Sequence, residues 1–139
     1  MRLCPSSLKR YIHTEGLIAL QELFMMPSIL ENGVIAAAEV TTLTTPLVVP
    51  GFVMTVLSCM AMDEESAIAT SIEIGIIDGT RLIPIDSTPG NFPAGTSHTL
   101  FWPCLLLPGQ GMYAKFTTPT AGDQLRIVAH GFIEPLGRC

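Results

Sequence analysis

The residues of this chain with the widest chemical reach are three histidines, four cysteines and one acidic triplet. His13, His98 and His130 are far apart and fall in different segments. A metal site would need two or more of them to converge, with a carboxylate or thiolate completing the set. His130 is near Glu134 and Asp123 in sequence, but its simplest role is an imidazole at a surface or interface. Cys4, Cys59, Cys104 and Cys139 make no C-x-x-C pair and show no zinc-finger spacing. Cys59 and Cys104 lie in apolar segments and read as small buried hydrophobes, a disulfide between them being the alternative. Ser58, Ser71, Ser97 and Cys104 are nucleophile types, yet none occupies a G-x-S-x-G elbow or stands in an evident triad.

The remaining motifs are equally plain. Asp63-Glu64-Glu65 follows the end of an apolar segment and lacks EF-hand spacing, so it reads as a solvated loop. Binding of calcium or of a partner's basic patch is the sharper alternative. The Gly/Pro-rich stretches at 88–95 and 108–111 have no phosphate-loop pattern and no following helix; they are turns. Trp102, Phe101, Tyr113 and Phe116 could stack on a sugar, but aromatic side chains more often build a core, and a buried cluster is the expectation. No catalytic residue, metal ligand or cofactor-binding residue is assigned, and the chain is expected to be non-enzymatic and without a cofactor.

Composition points toward assembly. The 139 residues are 48% hydrophobic and only 14% charged, where globular domains average roughly 25% charged. A chain this short has much surface for its volume, so the apolar surplus is expected in contacts between subunits. The net charge of −5 argues against a nucleic-acid face, which needs clustered Lys and Arg; only Lys9 and Arg10 are adjacent. Glu15 and Glu22 interrupt any secretory apolar core near the N-terminus. Val40 to Met62 and Ser87 to Ala114 are long and apolar enough to suggest membrane spans, but prolines and glycines break both. Cysteine usage suits assembly in a reducing cytoplasm.

The elements follow from periodicity. Leu17, Leu20 and Phe24 stand at helical spacing with Leu23 beside them; Thr14 can cap and Pro27 can stop a short helix near 14–25. This segment, with Met25 and Met26, either covers its own sheet or reaches a neighbour as an arm. From Gly33 the texture is β. Strands are expected at 34–40, along a Thr/Pro/Val edge at 41–50, and at 52–60, which is apolar on both faces and therefore central. Ile68, Thr70, Ile72, Ile74 and Ile76 alternate against Ala69, Ser71, Glu73, Gly75 and Ile77, and Asp78-Gly79 signals a hairpin returning through Thr80 to Ile85. Further strands are expected at 97–107, 112–117 and 124–134. In the last, Leu125, Ile127, Ala129 and Ile133 face inward. Val128, His130 and Phe132 share the other face with Gln124, Arg126 and Glu134, which makes that face too apolar for solvent alone. The expected fold is all-β: an antiparallel β-sandwich of jelly-roll type over 33–139, with an N-terminal helical arm over 1–32.

Several of these segments carry a resemblance: Ser97-His98-Thr99 before Leu100-Phe101-Trp102, the turn Leu107-Pro108-Gly109, the strand Met112-Tyr113-Ala114-Lys115-Phe116, and Gly122-Asp123 leading into Leu125-Arg126-Ile127-Val128-Ala129 and His130-Gly131. In texture, residues 40–134 resemble the small β-sandwich or jelly-roll proteins of bacteriophage virions, including capsid decoration or cement proteins and neck modules. The resemblance implies a structural protein that holds subunits together, located in a virion assembled in the host cytoplasm. Its implied partners are other copies of itself, with a trimer as one closed arrangement, and other virion structural proteins such as a capsid protein; neither nucleic acid nor membrane is implied. From the residues themselves, contacts are expected at Leu17, Leu20, Leu23, Phe24, Met25 and Met26, and at Val128, His130 and Phe132. The alternatives are a carbohydrate- or receptor-binding sandwich, which predicts an exposed Trp102 or Tyr113, and a cupin-like enzyme, which predicts that His98 and His130 meet on a metal.

Overall fold

The computed structural model describes residues 26–37, 39–66, 71–89, 93 and 96–136. Nine strands are formed: β1 (Met26–Ile35), β2 (Val40–Thr44), β3 (Phe52–Asp63), β4 (Ser71–Asp78), β5 (Arg81–Pro89), β6 (His98–Leu100), β7 (Cys104–Leu106), β8 (Gln110–Thr117) and β9 (Gln124–Pro135). No helix occurs among the described residues, and none there is long and apolar enough to cross a membrane. Every strand pair is antiparallel. One sheet, here sheet A, runs β1-β9-β3-β6, with β7 also on β3; the other, sheet B, runs β2-β8-β4-β5. Apart from the β4–β5 hairpin, the chain alternates between the sheets in the double Greek-key order of a jelly roll, and the strand of sheet A that lies beyond β3 is broken into β6 and β7.

Alternation explains the core. Ile72 and Ile74 of β4, Met112, Ala114 and Phe116 of β8, and Leu125, Ile127 and Ala129 of β9 are fully buried at period two. They meet Met54, Val56, Cys59 and Ala61 of β3 between the sheets. The β4–β5 hairpin forms as the sequence predicts, with the turn one residue later: Asp78 pairs with Arg81 across Gly79-Thr80, and Gly79 takes the positive φ of 63° that a side chain would resist.

Three sequence expectations are corrected. The strand expected at 34–40 is instead the end of β1 and the start of β2, and the chain leaves the ladder at Ala36 and Ala37. There Ala36 donates to the Asp123 carbonyl and accepts from Gly122. The boundary drawn at residue 32 therefore falls inside β1. Pro27 hid this strand, but β1 pairs only with β9, and an edge strand has one side on which a missing donor costs nothing. The strand expected at 97–107 is interrupted by Phe101-Trp102-Pro103, since Pro103 cannot donate to the ladder. The expected helix at 14–25 lies outside the described residues.

Candidate functional site

The outer face of sheet A is apolar across four strands. Its register sets Pro27, Phe132, Thr55 and Leu105 in one row, Ile29, His130 and Ser58 in the next, and Glu31, Val128, Met60 and Thr99 in a third. A bulge between Val56 and Ser58 adds Leu57 to this surface. The bulge needs Gly131 opposite it, because a Cβ there would overlap the Thr55 carbonyl. Ile29 is 61% exposed and Leu57 43%. With Pro27, Ser28, His130, Gly131 and Phe132 they line a shallow groove of about 510 Å³.

Charge lies at the two ends of this face: at one, Arg126 pairs with Glu64 at 2.5 Å and reaches Glu31 at 4.0 Å; at the other stands Glu134, in register with Val53. In the middle, His130 Nδ1 shares a 3.2 Å hydrogen bond with Ser58 Oγ. Val128, His130 and Phe132, three of the contact residues expected from sequence, thus share this one face. Met26 is exposed at the start of β1. Leu17, Leu20, Leu23, Phe24 and Met25 lie outside the described residues. Sequence reasoning missed Ile29, which lies in a strand read as arm, and Leu57, whose outward turn depends on a bulge that breaks period two.

The outer face of sheet B differs. Thr42, Lys115, Glu73 and Ser87 form one row, and Ser71 donates to Thr117 beside it. Its aromatic residue, Tyr113, is fully buried. It lies across Gly75, where an added Cβ would come within 2.6 Å of the ring, and its hydroxyl donates to Glu73 Oε2 at 2.7 Å. Burial, and then the Glu73 hydrogen bond and charge, raise the Tyr113 pKa above the ordinary phenol value.

The expected aromatic cluster is therefore not one cluster. Tyr113 and Phe116 are buried, whereas Phe101 and Trp102 are 74% and 72% exposed. They sit in the break between β6 and β7, where the chain leaves the ladder and their side chains leave the core. A concavity of about 350 Å³ opens there, lined by Ile85, Asp86, Thr99, Leu100, Phe101 and Trp102. His98, buried on the inner side of β6, holds Asp86 through Nε2 at 3.0 Å, joining the edges of the two sheets.

Other candidate groups are kept apart. His98 pairs with Ala61 on the inner face of sheet A and His130 with Ser58 on the outer face, so one metal ion cannot receive both. Among the described residues no three His, Cys, Asp or Glu side chains gather as a metal site. Cys59 and Cys104 are free thiols, with Cys104 Sγ 3.8 Å from Met112 Sδ. Burial, then the neighbouring Cys104, pushes the Cys59 pKa up to about 12, and burial raises Cys104 as well. Both stay protonated near neutrality, unlike a reactive thiolate.

The acidic triplet is more ordered than a solvated loop. Asp63 is buried and its Oδ1 accepts from the Glu65 and Ser66 amides. Glu65 accepts from the Gln124 amide, and Glu64 holds Arg126. Together they fix the end of β3 to the start of β9.

No protein-family model matches the chain, and no curated protein matches its sequence. Among solved structures it is similar to a subunit of Bacillus endospore appendages, described as disulfide-linked pili, at 9% identity and a TM-score of 0.46, covering 82% of this chain and 90% of that one. It is also similar to a chain of infectious bursal disease virus, Gx strain, at 10% identity and a TM-score of 0.37, covering 81% of this chain and 32% of that one. A third is the Drosophila NLP core, at 12% identity and a TM-score of 0.33, covering 74% and 96%. Likenesses this distant carry no functional argument, and the reading of function rests on the surfaces of this chain.

Proposed function

We propose that this chain is a structural virion subunit that stabilises or decorates a phage-like particle, joining copies of itself and neighbouring capsid protein through the outer face of sheet A. The observation that carries this reading is the solvent-facing apolar surface formed by Ile29, Leu57, Met60, Leu105, Val128 and Phe132, with its charges at the two ends. A contiguous apolar patch of this kind marks a contact surface rather than ordinary solvent exposure. Its composition, apolar in the centre and charged at the rim, is that of a protein interface. A subunit binding only the assembled shell shifts the equilibrium toward that shell by mass action, and no reacting group is required of it. The texture of residues 40–134, similar to that of small virion sandwiches, supports the same reading.

The test is the molar mass in solution by light scattering over a range of protein concentrations. The wild-type chain is expected to associate into a defined oligomer. Ile29→Asp with Leu57→Asp, both at exposed positions, is expected to return it to a folded monomer. A wild-type chain that stays a single copy at high concentration, and does not bind phage-like shells, would refute the proposal.

A further inference from the structure

We propose that the concavity between β5 and β6 is a binding site for a neutral hexopyranose, with Trp102 as its stacking surface and Asp86 as its hydroxyl acceptor. This site lies at the edge where the two sheets meet and shares only Thr99 with the outer face of sheet A. Phe101 and Trp102 are the most exposed of the large apolar side chains described. Full burial of such a side chain is worth roughly 1.5–3 kcal/mol, and the fold forgoes it for both. Pro103 restricts the backbone of Trp102 to extended conformations, so binding has less backbone freedom to remove at this residue.

The surroundings select the ligand. The concavity holds about 350 Å³, within the lower range of small-molecule sites, roughly 300–1,000 Å³. The apolar C–H face of a pyranose carries the partial positive charge that the negative face of an aromatic ring attracts. At the rim stand a carboxylate, Asp86, and a hydroxyl, Thr99. Asp86 is aimed by its 3.0 Å contact to the buried His98, which fixes one oxygen. A carboxylate oxygen can accept more than one hydrogen bond, so sugar hydroxyls can donate to this group without displacing His98. Asp86 and a net charge of −5 repel anionic sugars, so a neutral ring is favoured over a sialic acid. Thr99 Oγ1 lies 3.0 Å from Ser97 Oγ, which keeps a second hydroxyl at the site's margin.

Trp102 is the chain's single tryptophan, so emission excited selectively at tryptophan, beyond the absorption of the two tyrosines, reads this site alone. The full chain is titrated with methyl glycosides of glucose, galactose, mannose and N-acetylglucosamine, and with sialic acid as the anionic control. At least one neutral glycoside is expected to shift the emission blue, protect it from acrylamide and saturate with a dissociation constant of about 1 mM. Sialic acid is expected to give no change. Asp86→Asn and Thr99→Val are each expected to weaken binding about tenfold, with Thr99→Val serving if Asp86→Asn fails to fold. The absence of any saturable response to the neutral glycosides would overturn the proposal. So would an emission already blue and shielded in sugar-free protein, or one that follows protein concentration, since another protein surface would then cover Trp102.

Discussion

The two sheets of this sandwich build their inner faces alike and their outer faces differently. Sheet B turns Thr42, Ser71, Glu73, Ser87, Lys115 and Thr117 to solvent, leaves only Val40 and Leu82 as exposed large apolar groups on its strands, and folds its one outward aromatic, Tyr113, flat over Gly75. Sheet A turns out Ile29, Leu57, Met60, Leu105, Val128 and Phe132. Both faces belong to the same fold and serve the same core, so the apolar outer face of sheet A is not a requirement of jelly-roll packing. The two outer faces thus differ in apolar content, and the more apolar one has the composition that a contact surface requires.

The largest expected effects come from the glycine beneath each face. Gly75→Ala drives a Cβ into the Ile83 carbonyl and the Tyr113 ring, and Gly131→Ala drives one into the Thr55 carbonyl at the bulge. Each should cost about 3–4 kcal/mol or prevent folding, because the obstacle is backbone; urea unfolding measures it. A loss under about 1 kcal/mol at Gly131 would mean that the bulge is not a rigid part of sheet A.

The next effect separates the faces. Ile29→Asp with Leu57→Asp on sheet A should weaken self-association at least about a hundredfold, as expected when central contact residues become charged. Thr42→Asp with Ser87→Asp on sheet B should leave it unchanged. Equal responses to the two pairs, read by sedimentation or light scattering, would show that the two outer faces do not differ in self-association.

Smaller effects sharpen it. Tyr113→Phe removes the hydrogen bond to Glu73 and should cost about 1–2 kcal/mol. The folded state raises the Tyr113 pKa, so the stabilisation is complete below the unfolded phenol value near 10 and is lost as pH rises above it. The wild type should therefore lose stability in alkali more steeply than Tyr113→Phe, a difference visible in denaturation midpoints between about pH 9 and pH 11. Arg126→Ala should cost less than about 1 kcal/mol, because its pairs with Glu64 and Glu31 are partly exposed.

Legibility in the sequence followed how local the cause was. The alternation of Ile72, Ile74 and Ile76 and the Asp78-Gly79 signal revealed β4, β5 and their hairpin, since period two and positive φ are local properties. The same holds for β9, whose inward Leu125, Ile127 and Ala129 were evident and whose outward Val128 and Phe132 already marked an unusual face. β1 was not evident, because Pro27 and the polar Glu31-Asn32-Gly33 interrupt its pattern, and only pairing with β9 makes residues 26–35 a strand. Trp102 was expected inside on its size alone; its exposure follows from Pro103 breaking the ladder between β6 and β7.

By itself, then, the sequence determined the all-β class, the central place of β3, the hairpin, and the division of β9 into inner and outer residues. These depend on side-chain period, turn chemistry and hydropathy, which act over a few residues. Only the tertiary structure decided that Ile29 lies beside His130, that a bulge turns Leu57 outward over Gly131, that His98 and His130 occupy opposite faces, and that Asp86 meets His98 across the sheet edges. Those outcomes depend on strand order and register between segments more than a hundred residues apart, where a shift of one residue exchanges every inner side chain for an outer one.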